Sequence, residues 1–148
     1  MVGDETRSTA TSADESGAAA YPVVLLWIIA VLFIGFGVGF AFAPTFFADF
    51  IIPGAAPSVP SAIIDMRATY GGPALGLGLF FVVATRRRQW MRPALVVSLL
   101  VIACIGAARL LGIIADGDPN AWMLFFLATE VISVALIVVA LRRLDPGI

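Results

Sequence analysis

The chain has 148 residues, 61% hydrophobic and 13% charged, with a net charge of −1 and a mean hydropathy of +1.03. Soluble domains carry about 25% charged residues, so this is the composition of a single-domain integral membrane protein, and its charge gives no sign of a nucleic-acid partner. With no His and one Cys, histidine-ligated haem or zinc, Ser-His or Cys-His nucleophile pairs and an intramolecular disulfide relay are excluded. No cofactor and no metal site are expected, and the reading leans away from an enzyme.

Residues 1–20, "MVGDETRSTATSADESGAAA", are small, polar and acidic and read as a disordered tail. An export signal would begin with positive charge and carry a short apolar core. Here the start is acidic and the uncharged run from Ser16 to Ala48 is too long, so the first apolar segment reads as an uncleaved helix. Residues 21–144 form the domain, with four spans at about 22–43, 61–85, 93–115 and 120–141, each meeting the roughly 20-residue requirement of a bilayer. Pro44 ends the first, Ser61 is a plausible N-cap of the second, and Pro93 takes the first position of the third. The links between the second and third and the third and fourth are short, which predicts antiparallel neighbours. The expected fold class is therefore all-α, a four-helix transmembrane bundle.

Arginine placement sets the orientation. Arg86, Arg87, Arg88 and Arg92 fill the 2–3 link, Arg142 and Arg143 follow the fourth span, and Arg7 lies in the tail. All three places share one side of a four-span protein, so the positive-inside rule makes both termini cytoplasmic. Residues 44–60 then lie outside. In "TFFADFII", Phe46 with Phe50 and Phe47 with Ile51 are each four apart, leaving Asp49 elsewhere on the wheel. That pattern suits a short helix in the membrane interface; a greasy loop packed on the bundle is the alternative.

Arg109 and Glu130 lie within spans, while Asp65 and Arg67 sit in the first two turns of the second span. Insertion scales charge roughly 2.5–3.5 kcal/mol for such a residue at mid-helix, so these groups should be paired or wet. At about 1.5 Å rise per residue, Arg109 lies roughly 9 Å and Glu130 roughly 14 Å from the outer edge. Side chains lean toward the helix N-terminus, and the third and fourth spans run in opposite directions, so the two converge. Arg109 is predicted to pair with Glu130. Asp65 is expected to complete that cluster with Thr69 and Gly72 on its face, Arg67 to snorkel, and Tyr70 to donate to the cluster. A pair that only fixes helix register, a polar pocket open to the outside and a proton-responsive Glu130 all remain open at this point.

Small residues four apart let membrane helices approach closely. Gly35 and Gly39, Gly72 and Gly76, and Ala108 with Gly112 have that spacing and are predicted to pack the bundle. Gly71, Gly72 and Pro73 together predict a kink, because Pro73 leaves the Thr69 carbonyl without its helical donor.

The strings "DMRATYGGPALGLGLFFVVATRR" (65–87) and "ARLLGIIADGDP" (108–119), with Glu130, resemble the domain-of-unknown-function 4345 family, small bacterial four-helix membrane proteins. The likeness covers about residues 23–143. It implies the fold and a place in the bacterial cytoplasmic membrane as a multi-pass protein; it carries over no activity, catalytic residue or cofactor. Three functions compete. The favoured one is a non-enzymatic membrane protein whose polar cluster binds a lipid, quinone or small solute, or which serves a membrane-protein partner or its own oligomer. A proton-coupled carrier is disfavoured because the cytoplasmic half offers no path of ionisable groups, and a redox-complex subunit because His and paired Cys are missing.

Overall fold

The computed structural model describes residues 5–144, with side chains from Ala20 onward. Among these residues the protein is all-helical: α1 Glu5–Phe42, α2 Pro44–Ile51, α3 Pro60–Met66, a π-helical turn Arg67–Gly71, α4 Gly72–Thr85, α5 Arg88–Asp116 and α6 Ala121–Leu144. Four stretches are long and apolar enough to cross a membrane: Ala20–Phe42, Pro60–Thr85, Arg88–Asp116 and Ala121–Leu144. They form a ring in chain order, with α6 closing onto α1.

Boundaries shift from those expected for identifiable reasons. Helical backbone begins at Glu5, inside the stretch read as a disordered tail. Alanine is the strongest helix former, and Ala18–Ala20 lie between the polar residues and the span. Pro22 lies inside this helix, where it removes the bond to the Ala18 carbonyl. Ser61 is not a cap: α3 starts one residue earlier, with Pro60 at its first position and Val59 flanking it without a side-chain cap. Pro93 lies inside α5, which starts five residues earlier at Arg88. Where a kink is expected at Gly71–Pro73, the backbone forms a π turn over Arg67–Gly71, closed by the Gly72 N–H donating to the Arg67 carbonyl five residues back.

The glycines that stand against a neighbouring helix backbone are Gly37, Gly71 and Gly78. A Cβ on Gly37 would stand 2.6 Å from the Leu75 backbone nitrogen, one on Gly71 2.8 Å from that of Ala41, and one on Gly78 2.9 Å from that of Ile34. These three let α1 and the second span meet backbone to backbone. Of the glycines predicted to pack, only Gly39 is closely approached, by the Phe47 ring of α2. Gly35, Gly72 and Gly76 would meet nothing within 4 Å, and Gly112 only the Asp116 carboxylate at 3.8 Å. Gly35 and Gly37 are two apart, about 200° around a helix, so both cannot face the same neighbour.

The arginine-rich end of the bundle is filled by Leu26, Phe81, Leu95 and Ile137, all fully buried. Phe33 meets Phe81 edge-on, with centroids 5.6 Å apart. Ser98, also fully buried, donates its hydroxyl to the Leu95 carbonyl of its own helix at 2.9 Å. The other end is covered by α2, the short helix expected there. Its phenylalanines stack as the spacing predicts, Phe46 on Phe50 at 6.0 Å, and Phe50 reaches Trp122 of α6 at 5.1 Å. Asn120 ties this cover down: its Oδ1 accepts from the Met123 N–H at 2.9 Å, capping α6, while its Nδ2 donates to the Ile51 carbonyl at 3.0 Å.

Candidate functional site: an ion pair between two cavities

Arg109 and Glu130 meet between α5 and α6. The Arg109 Nε lies 3.1 Å from both carboxylate oxygens and Nη2 lies 2.8 Å from Oε1. Their side chains are 20% and 13% exposed, so the pair is largely removed from solvent. Gly106 makes room for it: a Cβ there would stand 3.4 Å from both Cβ and Oε2 of Glu130. Gly106 and Arg109 are three apart and share the α5 face that meets α6. The guanidinium also lies over the Phe126 ring, 5.2 Å from its centroid, a cation–π contact that helps a charge tolerate apolar surroundings. Its remaining terminal nitrogen, Nη1, donates to the Met123 sulfur at 3.2 Å.

The pair stands in the wall between two cavities. One, of about 240 Å³, is lined by Leu32, Phe33, Ile102, Ile105, Glu130 and Ser133 among others. Leu32 and Ile105 are themselves well exposed, so this cavity opens on the flank of the bundle. The other, of about 200 Å³, lies under α2 and is lined by Phe40, Ile51, Met66, Tyr70 and Met123 among others. Phe36, Arg109 and Phe126 line both. The two faces of the pair differ chemically. The flank cavity meets the carboxylate side, with Thr129 and Ser133; the α2-side cavity meets the guanidinium side, with Met123.

Of the residues expected to cluster, Arg109, Glu130 and Tyr70 come together at these cavities and Asp65 and Arg67 do not. Asp65 accepts from the Thr69 hydroxyl at 3.3 Å, and both are exposed. Met66 and Tyr70, four apart, line the α2-side cavity, and Asp65, one residue before Met66, points about 100° away. Arg67 does not simply snorkel. Its Nη1 donates to the Ala41 carbonyl in the last turn of α1, a place where a carbonyl has no helical donor and a cation is favoured. Tyr70 contributes its ring, 5.4 Å from Phe40.

Residues that sequence reasoning missed are Gly106, Met123, Phe126, Thr129 and Ser133. Most were legible in principle: Met123, Phe126, Glu130 and Ser133 follow three- and four-residue steps, one stripe of α6. Among the described residues, no group of three or more His, Cys, Asp or Glu side chains could hold a metal ion.

No curated protein matches the chain, and no solved structure does. One family profile does, that of a domain of unknown function (DUF4345), over residues 23–141. That segment takes in the second and third apolar helices, nearly all of the first and fourth, the π turn and both members of the ion pair, so this chain belongs to the DUF4345 family.

Proposed function

We propose that this is a multi-pass membrane protein, with both termini and residues 86–92 on the cytoplasmic side, that binds an apolar molecule drawn from the bilayer. The carrying observation is the cavity of about 240 Å³ that opens on the flank of the bundle and ends at the Arg109–Glu130 pair. In a bilayer its mouth, between exposed Leu32 and Ile105, faces hydrocarbon, so a ligand enters sideways from the lipid. Sites of this kind combine apolar walls with a few placed polar groups that orient the ligand. Binding is favoured over conduction because Leu26, Phe81, Leu95 and Ile137 fill the arginine-rich half. The localisation that goes with this reading is the bacterial cytoplasmic membrane, with lipid as the immediate partner.

The test is ligand retention. Protein purified in native lipid is compared with a Ser133→Phe variant, whose added ring fills the flank cavity, by mass spectrometry of the molecules each carries. The expected result is an apolar species held by the wild type and lost from the variant. Identical contents would overturn the binding reading.

A further inference from the structure

The donors of Arg109 are divided unequally. Nε and Nη2 go to the Glu130 carboxylate, whereas Nη1 has the Met123 thioether, at 3.2 Å. Sulfur of this kind is a weak acceptor, and a charged donor makes hydrogen bonds about twice as strong as a neutral one when it meets oxygen. Met123 lines the α2-side cavity. An oxygen entering there finds a charged donor whose present partner is easily displaced.

The pair also selects the charge of what enters. Glu130 already neutralises Arg109. A carboxylate or phosphate would bring a second anion beside Glu130 into surroundings built from Phe36, Phe40, Ile51 and Phe126, where an uncompensated charge is costly. A cation would find Glu130 committed to Arg109. An uncharged carbonyl oxygen brings a strong acceptor without a net charge. Phe36, Arg109 and Phe126 line both cavities, so a molecule with its head under α2 and its apolar tail in the flank cavity has to part these three side chains.

We propose that the α2-side cavity seats the uncharged carbonyl head of an amphiphile, an ester or a ketone, which displaces the Met123 sulfur as acceptor for Arg109 Nη1 while the tail occupies the flank cavity. This rests on the lateral binding reading above and specifies its ligand. Trp122 is the reporter, stacked 5.9 Å from Phe126. In a Trp27→Phe/Trp90→Phe background, the full chain is reconstituted in nanodiscs of ether-linked phosphatidylcholine, which carries no ester carbonyl, with methyl dibromostearate, dibromostearate or dibromooctadecane, and bromine quenching of Trp122 is measured. The methyl ester should reach half-quenching at about a tenfold lower mole fraction than the other two, as expected for a hydrogen bond to a charged group. Met123→Leu, which keeps the volume and removes the competing acceptor, should sharpen that preference a further few-fold. Ser133→Phe should relieve it. Dioctanoylglycerol displacing the ester would mark the head as a lipid ester, and a long-chain methyl ketone displacing it would mark a ketone; displacement by neither overturns the proposal. Equal quenching by ester and hydrocarbon, or strongest quenching by the carboxylate, overturns it too, and leaves the cavity reading standing if Ser133→Phe still relieves the quenching. If Ser133→Phe changes nothing for any probe, the cavity reading fails and the proposal fails with it.

Discussion

Arg109 and Glu130 face each other with three nitrogen–oxygen contacts between 2.8 and 3.1 Å, in a stretch of protein whose other walls are almost wholly apolar. Breaking a buried pair by removing one partner typically costs about 3–5 kcal/mol, because the survivor is left uncompensated, whereas replacing both by apolar residues is often near neutral. Arg109→Leu and Glu130→Leu should therefore each lower stability strongly, and the double variant should recover most of the loss. Unfolding curves in one detergent, assembled into a double-mutant cycle, measure this. Simple additivity would mean that the two side chains do not depend on each other.

Gly106 supports the pair by being small. Gly106→Leu has to displace Glu130, whose Cβ and Oε2 already stand at 3.4 Å from the position a Cβ would take, at an overpacking cost of about 1–3 kcal/mol. In a Glu130→Ala background the added side chain gains the vacated space, so the same substitution should cost less there. An undiminished cost would place the clash elsewhere.

Glycine substitutions should divide by face. Gly37→Ala and Gly78→Ala put a methyl within 3 Å of a neighbouring backbone nitrogen and should cost about 1–3 kcal/mol by forcing α1 and the second span apart. Gly35→Ala and Gly76→Ala meet nothing within 4 Å and should be neutral or stabilising by about 0.5–1 kcal/mol, the helix preference for alanine. Thermal midpoints of the four variants in the same detergent check this.

Asn120 couples the cover to the bundle through its bonds to Met123 and Ile51. Asn120→Ala should cost about 1 kcal/mol as a lost cap, and amide exchange over residues 44–51 should speed up while exchange in the α1 core near Leu26 stays unchanged. Unaltered exchange in α2 would show that Phe50 against Trp122 suffices to hold it.

The proposed orientation has its own test. With Cys104→Ser as background, cysteines at Ser58 and Asp118 should react with an impermeant maleimide in intact cells, and one at Gln89 only after lysis. The reverse pattern would put the ion pair in the cytoplasmic half of the membrane.

Much of this protein was already in its sequence, because the strongest physical signals in it are local. Twenty-odd apolar residues between polar breaks make a span whatever surrounds them, and the four apolar helices lie close to where composition put them. The Arg109–Glu130 pair was legible for a similar reason: two charges in apolar helices of opposite direction, at comparable depth, have little alternative to each other. Tertiary structure decided whatever depended on helix rotation. Spacing showed that glycines recur, but "GFGVGF" and "GGPALGLG" each hold overlapping sets, and only packing of α1 against the second span chose Gly37, Gly71 and Gly78 over Gly35, Gly72 and Gly76. Rotation also separated Asp65 from Arg109, since Met66 and Tyr70 are the residues of that turn that line the α2-side cavity, and it turned Arg67 to the open carbonyl of Ala41. A side chain's direction changes by about 100° with each residue. Sequence alone therefore located the charged residues along their helices, and the neighbours of each helix determined which of them could meet.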